Sequence, residues 1–203
     1  NKMHKAAYQN TFKKKEQEKI EEYIALAQEF NKTHNIFVRK NKKEIIDKDI
    51  IDCSPLITII KPNKTILDLG SGGGFPGILL SITKPENKIT LIESNQKKCY
   101  FLRTAIHKLE LKNTTVINKT ITKNNTLGEY DVITARAFAS ITKIIELTKS
   151  NTHKKSRYVL LKGRESKTLE ELKFLNTKKH QYEIIKLNNK NHERSVVIIK
   201  ENE

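Results

Sequence analysis

A cluster of glycines constrains this chain more than any other feature of its 203 residues. The segment ILDLGSGGGFPGILL, residues 66–80, contains five of the seven glycines. An apolar stretch typical of a buried β-strand precedes the cluster, and an apolar stretch with helical character follows it. Glycines let a ligand approach the backbone closely, and the N-terminus of the following helix favours negative charge. The segment therefore predicts a strand, a ligand-binding loop and a helix, as in open parallel α/β sheets.

Strand-like and helix-like segments alternate from residue 64 onward. The predicted strands are 65–70, 88–94, 114–118, 131–137, 157–163, 182–187 and 195–201, and the predicted helices are 76–83, 96–110, 139–150 and 165–175. A short polar loop separates the last two strands, which are therefore expected to pair antiparallel. The pattern predicts an α/β fold with a mostly parallel, seven-stranded sheet that carries helices on both faces.

The residues before this alternating region are predicted to be helical. Apolar side chains recur at helical spacing over 10–33 and again over roughly 42–60. A chain of this length suits one domain. We therefore expect an N-terminal helical extension, residues 1–62, packed on a core domain formed by residues 63–203.

The composition indicates an anionic partner. The formal net charge is +16, which favours nucleic acid, although enrichment in lysine alone would also raise the charge. Cys53 and Cys99 are far apart, which indicates neither a disulfide framework nor a zinc site. No apolar run approaches the roughly 20 residues of a membrane span, and no signal peptide is evident. A cytoplasmic protein without metal or membrane contact is expected, and no apolar seam suggests more than a monomer.

The second predicted strand ends at Glu93, about 20 residues after the loop, where a carboxylate can accept hydrogen bonds from ribose hydroxyls. This position indicates an adenosine-containing cofactor, and two motifs compete. GGGFPG (72–77) matches the dinucleotide fingerprint G-x-G-x-x-G. DLGSGGG (68–74) matches the D-x-G-x-G-x-G loop of S-adenosylmethionine-dependent methyltransferases. Asp68 favours the methyltransferase motif, because a carboxylate repels a pyrophosphate and attracts a cationic amino or sulfonium group.

Five segments, in order, resemble the small-subunit ribosomal RNA methyltransferase G family, also called glucose-inhibited division protein B. They are FNKTHNIF (30–37), LDLGSGGGFPGILLSI (67–82), IESNQKKCYFLR (92–103), DVITARAFAS (131–140) and LLKG (160–163). The resemblance extends over roughly residues 16–200. It implies a Rossmann-like class I methyltransferase that uses S-adenosylmethionine to methylate N7 of a guanine in 16S ribosomal RNA, free or in a small-subunit precursor.

The site residues follow from the loop and from the family motifs. The predicted cofactor-binding residues are Asp68, Gly70, Gly72, Gly74, Phe75, Glu93, Ile121, Thr122 and Arg136. The resemblance places Lys97, Lys98 and Lys162 on the RNA side. Arg136 ends an apolar strand, which is costly unless it meets an anion, a polar ligand or an ion-pair partner, and it is the candidate catalytic residue.

Two departures from the family pattern are visible. Thr120-Ile121-Thr122 stands where the family has Arg-Ala/Val-Glu, so a charge is missing beside the expected cofactor. The family's H-x-x-D-S appears as Asp49-Ile50-Ile51-Asp52-Cys53, and Asp49 receives no predicted role.

The chemistry needs few catalytic groups. Guanine N7 carries a lone pair and no proton, so the expected reaction is an in-line methyl transfer without a general base, which depends on alignment and electrostatics.

Two alternatives to this function stay open. One is a nicotinamide-dependent (NAD) oxidoreductase that uses Gly72, Gly74 and Gly77. The other is a non-catalytic RNA-binding module, which would follow if the departures at residues 120–122 have weakened cofactor binding.

Overall fold

The computed structural model describes residues 2–187 and 192–203. The helices are α1 (Lys2–Thr11), α2 (Lys14–Asn31), α3 (Lys42–Ile45), α4 (Pro55–Ile59), α5 (Gly77–Thr83), α6 (Gln96–Lys108), α7 (Ile141–Leu147) and α8 (Glu165–Leu172). A π-helical segment, Ile46–Ile51, directly follows α3, and a short 3₁₀ turn, Lys149–Asn151, follows α7. The strands are β1 (Thr65–Leu69), β2 (Lys88–Ile92), β3 (Thr114–Ile117), β4 (Val132–Arg136), β5 (Arg157–Lys162), β6 (His180–Leu187) and β7 (Arg194–Glu201).

The seven strands form one sheet in the order β3-β2-β1-β4-β5-β7-β6. Strands β1 to β5 are parallel, and β7 lies antiparallel between β5 and β6. The expected antiparallel pair of final strands is thus confirmed, as is the mostly parallel α/β sheet. The strand order reverses between β1 and β4, which is where open α/β sheets bind ligands.

Strand register brings the predicted site residues to one edge of the sheet. Leu69 pairs with Ile92 on one side and with Ala135 on the other. The residues that follow these three positions are Gly70, Glu93 and Arg136. The loop and the two charged side chains therefore leave the sheet side by side, although they lie far apart in sequence.

Two apolar clusters cover the two faces of the sheet. Side chains alternate between faces along a strand, so Ile66 of β1 joins one cluster, while Leu67 and Leu69 join the other. The first cluster also contains Tyr23 of α2 and Phe101 of α6. The helices before β1 thus share a hydrophobic core with the sheet, and the domain boundary near residue 62 stays a prediction.

The N-terminal region departs from the sequence-based expectation. The helix predicted over 10–33 is wrong as one element: α1 ends at Thr11 and α2 begins at Lys14, because Phe12 turns into the core. The Glu16 carboxylate accepts a hydrogen bond from the Lys13 backbone N–H at 2.8 Å and so closes the first turn of α2. The stretch over 42–60 is likewise divided, and Pro55 begins α4 at a position where helices tolerate proline.

Strand boundaries agree with the predicted ones to within about two residues. Cys53 and Cys99 are both buried and free, as expected from their separation. Within the described part of the chain, no helix combines the length and the apolar character needed to cross a membrane.

Candidate functional site

The loop after β1 requires glycine for two physical reasons. Gly70, Gly72 and Gly74 have φ values of +61°, +53° and +95°, in the region that side chains disfavour. Close packing also leaves no space at Gly73, where a Cβ atom would lie 2.7 Å from the ring of Phe37. The glycine cluster is therefore explained by backbone conformation and by neighbours that press on the loop.

The Asp68 side chain holds this loop in place through hydrogen bonds. Its Oδ1 accepts a hydrogen bond from Thr134 Oγ1 at 2.7 Å, and its Oδ2 accepts one from Ser71 Oγ at 2.7 Å. The side chain is completely buried, and this burial raises its pKa to about 6, against the hydrogen bonds from Thr134 and Ser71 and the charge of Arg136. Asp68 lies under the loop with both oxygens engaged in hydrogen bonds, and its predicted contact with the cofactor stays a prediction.

A tyrosine from the N-terminal helices also holds the loop. The hydroxyl of Tyr23 on α2 donates a hydrogen bond to the Gly73 carbonyl oxygen. The Tyr23 ring packs edge-on against Phe75, with ring centroids 5.5 Å apart. The segment before β1 thus fixes the loop that β1 presents.

Glu93 meets the loop from β2. It is 7% exposed, and its Oε1 accepts a hydrogen bond from the Gly72 N–H at 2.8 Å. Its Oε2 accepts one from the Asn95 N–H at 2.7 Å. An ionised carboxylate offers about four acceptor positions. Glu93 can therefore hold the loop and still accept hydrogen bonds from ligand hydroxyls.

The loop and Glu93 fit an adenosine-containing group. A Cβ atom at Gly72 would be in ordinary contact with the Gly70 carbonyl at 3.6 Å and with Glu93 Oε1 at 4.0 Å, so glycine is favoured there by the positive φ and not by a clash. Both carboxylates near the loop, Asp68 and Glu93, disfavour a pyrophosphate at this place. These carboxylates suit a ligand that combines ribose hydroxyls with a positive charge.

Arg136 leaves β4 beside the loop and forms an ion pair. Its Nη1 lies 2.8 Å from Asp49 Oδ1, and its guanidinium lies over the Phe75 ring at 5.6 Å from the centroid. Arg39 makes a two-point contact with the same carboxylate, at 2.9 Å to Oδ2 and 2.8 Å to Oδ1. Asp49 is 1% exposed. One buried carboxylate thus fixes two arginines.

Sequence reasoning missed Asp49 and Arg39. Asp49 stands in the π-helical segment, at the position where the family pattern has histidine, and it reaches a partner 87 residues away. A local pattern does not reveal such a pairing. The one available signal was the apolar stretch around Asp49, because a carboxylate in such a stretch needs a cationic partner when buried.

A cavity of about 710 Å³ adjoins Arg136 at the carboxyl ends of β4 and β5. Phe138, 36% exposed, lies between this cavity and the loop, because a Cβ atom at Gly70 would meet its ring at 2.5 Å. The intervening Ala137 has φ of +48°, a strained value for a residue with a side chain. The chain therefore bends sharply after β4 to place an aromatic ring beside the loop.

The three predicted RNA-facing lysines fall into two environments. Lys97 and Lys98 stand in the first turn of α6, where Lys97 is exposed and Lys98 half-buried. Lys162 lines the cavity, but its side chain is only 13% exposed. Its Nζ donates to the Ala139 carbonyl at 3.0 Å and pairs with Glu171 at 3.1 Å. Lys162 is thus engaged within the protein, unlike the two lysines of α6.

The remaining predicted residues follow β3. Ile121 is buried and packs in the cluster that contains Leu69 and Ile92. Thr122 is exposed, and its carbonyl accepts a hydrogen bond from Asn125 Nδ2 at 2.7 Å.

Within residues 2–187 and 192–203, no group of three or more His, Cys, Asp or Glu side chains could hold a metal ion.

Sequence comparisons agree with one another. The family model described as rRNA small subunit methyltransferase G matches residues 16–197. Ribosomal RNA small subunit methyltransferase G of Brachyspira hyodysenteriae is 40% identical over 184 residues, which cover 90% of this chain and 89% of that protein. The protein of the same name from Acinetobacter baumannii is 35% identical over 137 residues, which cover 66% of this chain and 65% of its own length.

Solved structures support the fold. A SAM-dependent methyltransferase from Aquifex aeolicus superposes with a TM-score of 0.58 at 14% identity, over 80% of this chain and 100% of that one. An rRNA methylase from Streptococcus thermophilus gives a TM-score of 0.56 at 13% identity, over 82% and 100%. At these identities the likeness concerns architecture alone, which is the Rossmann-like class I methyltransferase fold.

Proposed function

Because the chain belongs to the rRNA small subunit methyltransferase G family, we propose that it transfers the methyl group of S-adenosylmethionine to N7 of a guanine in 16S ribosomal RNA. The substrate is the free RNA or a small-subunit precursor, which would place the protein in the cytoplasm. The observation that carries this proposal is the strand register that unites the glycine loop, Glu93 and Arg136 at one edge of the sheet.

The residues that would hold the cofactor divide between backbone and carboxylate. The loop backbone, opened by Gly70, Gly72 and Gly74, would admit the cofactor closely, and Glu93 would accept hydrogen bonds from the ribose hydroxyls. Ile121 and Thr122 would complete the site after β3, and their lack of a charge leaves backbone and apolar contacts there. S-adenosylmethionine supplies a methyl group activated by its sulfonium charge.

Arg136 is proposed to orient the target guanine. Its contacts with Asp49 and with the Lys48 carbonyl both use Nη1, so other N–H donors of the guanidinium remain for a ligand. Arginine donates readily to guanine O6, which lies on the same base edge as N7. Because N7 carries no proton, the chain needs no general base, and a fixed Arg136 contributes alignment and a favourable field.

The reaction is tested with isotope-labelled S-adenosylmethionine and small subunits, or 16S ribosomal RNA, from cells that lack this modification. The RNA is then digested to nucleosides and separated. We expect label in 7-methylguanosine alone, and none with heat-denatured protein. Label in another nucleoside would contradict the N7 assignment. RNA binding without any transfer would favour the non-catalytic alternative, and titration with NAD beside S-adenosylmethionine tests the oxidoreductase alternative.

A further inference from the structure

The wall of the cavity beside Arg136 is strongly basic. Its lining residues include seven lysines or arginines, and the acids among them are Asp52 and Glu171. Asp49 lies next to the cavity and pairs with two of these cations. Even with Asp49 counted, positive side chains exceed negative ones by more than two to one. Such an excess at the mouth of a cavity favours an anionic ligand.

Internal pairing divides these cations into two groups. Asp49 engages both Arg39 and Arg136. Elsewhere along the wall, Lys162 pairs with Glu171 and Lys48 pairs with Glu44, at 3.1 Å and 2.7 Å. These four cations are thus all ion-paired within the fold, with three carboxylates.

Three cations on the outer side of the cavity carry the remaining charge. Arg164 and Lys167 are exposed, and two of the three α8 acids pair elsewhere, Glu165 with Lys186 and Glu171 with Lys162. Arg164 is the N-cap residue of α8 and Lys167 lies in its first turn, at the end of the helix where the dipole disfavours positive charge. Neither forms an ion pair within the described part of the chain.

Arg194 of β7 joins this group. Its Nη1 lies 3.8 Å from the place where a Cβ atom of Gly163 would be, beside the turn that leads to Arg164. Its side chain is 40% exposed; Nε lies 3.4 Å from Asp52 Oδ2, and Nη1 donates a hydrogen bond to the Glu193 carbonyl oxygen at 2.8 Å. Arg164, Lys167 and Arg194 are here called the outer cation group. All three line the cavity, and among the described residues the one ion pair that they form is that of Arg194 with Asp52.

We propose that the outer cation group binds phosphates of the RNA strand that carries the target guanine, so that the strand reaches Arg136 across the β5–α8 turn. This inference rests on the proposed function and deepens it. The outer cation group and Arg136 line the same cavity, whereas Lys97 and Lys98 do not. A guanine held by Arg136 would therefore place its neighbouring phosphates in this cavity and not over α6.

The test compares three double variants that each remove two positive charges. Arg164→Ala/Lys167→Ala removes two of the three side chains proposed to contact phosphates. Lys154→Ala/Lys155→Ala is the matched control, because these exposed lysines precede β5 at the opposite edge of the sheet. Lys97→Ala/Lys98→Ala tests the path over α6. Each variant is measured for binding of S-adenosylhomocysteine, for KM and kcat with 16S ribosomal RNA, and for RNA affinity at several salt concentrations.

The expected result is specific to the α8 pair. Arg164→Ala/Lys167→Ala should weaken RNA binding and raise KM at least tenfold, and it should lower the salt slope by about 1.4, which is about 0.7 for each lost contact to a single strand. Its affinity for S-adenosylhomocysteine should stay within twofold of wild type, and the Lys154/Lys155 control should keep wild-type RNA binding. An unchanged KM and slope for the α8 pair would overturn the inference, as would equal losses in all three variants or a loss confined to the α6 pair. Absence of methyl transfer by the wild-type protein would instead contradict the proposed function.

Discussion

Removal of the Asp49 carboxylate is expected to lower both the stability of the fold and the rate of methyl transfer. This side chain is 1% exposed and accepts three short hydrogen bonds from Arg39 and Arg136. Loss of one partner from a buried ion pair lowers the free energy of unfolding by about 3–5 kcal/mol. The two arginine side chains are 23% and 27% exposed, so water compensates them in part. We therefore expect Asp49→Ala to lower the free energy of unfolding by about 3 kcal/mol. This loss corresponds to a Tm lower by about 6–12 °C in a chain of this size.

Asp49→Asn separates charge from shape. The amide has nearly the same volume, but it replaces one acceptor oxygen with a donor that faces a guanidinium. We expect a smaller loss of Tm than with alanine, and a fall in kcat of at least tenfold because Arg136 is no longer fixed over Phe75. Binding of S-adenosylhomocysteine should change less than kcat, since Asp49 does not line the glycine loop.

The assays are thermal unfolding, calorimetric binding and single-turnover methyl transfer on the same preparations. Glu29→Ala is the control, because Glu29 pairs with Lys32 at the surface, and such pairs contribute little. A Tm for Asp49→Ala within about 2 °C of wild type would refute the assignment of a structural charge cluster. An unchanged kcat in Asp49→Asn would refute its positioning role.

Three further predictions follow from the site. Burial raises the pKa of Asp68 to about 6 from an ordinary value near 3.8, so the folded protein binds this proton more tightly than the unfolded chain. The free energy of unfolding of wild type, relative to Asp68→Asn, should therefore fall as pH rises from 4 to 6 and stay constant above about pH 7, as measured by urea titration at each pH; a flat difference contradicts this. Gly74→Ala should destabilise the protein because its methyl group would meet the Tyr23 hydroxyl, and Tyr23→Phe should recover part of that loss in a double-mutant cycle; strictly additive losses speak against the clash. Arg136→Ala should abolish methyl transfer while most of the stability remains, because Asp49 keeps Arg39 as a partner; normal turnover removes the role proposed for Arg136.

The fold and the glycine loop could be predicted because their signals are local. Residues 66–80 contain strand, glycine turn and helix in one stretch, and Glu93 follows at the spacing that the topology demands. The contacts of the charged side chains could not be predicted in the same way from the sequence. Lys162 was predicted to face RNA from its place at the end of β5, but only the packed structure shows that Glu171 and the Ala139 carbonyl already hold it.

The N-terminal helices show the same limit. Helical spacing of apolar residues over 10–33 is real on both sides of Phe12, and periodicity alone does not show the change of direction between α1 and α2. Asp49 illustrates the consequence for function, because its partners come from a separate loop and from β4. Pairings of this kind depend on tertiary structure, which local sequence patterns do not specify.

Residues 68–77 and Glu93 are proposed to hold S-adenosylmethionine at the carboxyl edge of the sheet. A crystal structure with S-adenosylhomocysteine bound tests it most directly. We predict both ribose hydroxyls within hydrogen-bond distance of the Glu93 carboxylate, with the ligand against the backbone at Gly72. A ligand bound elsewhere, or one whose ribose does not contact Glu93, would contradict the claim.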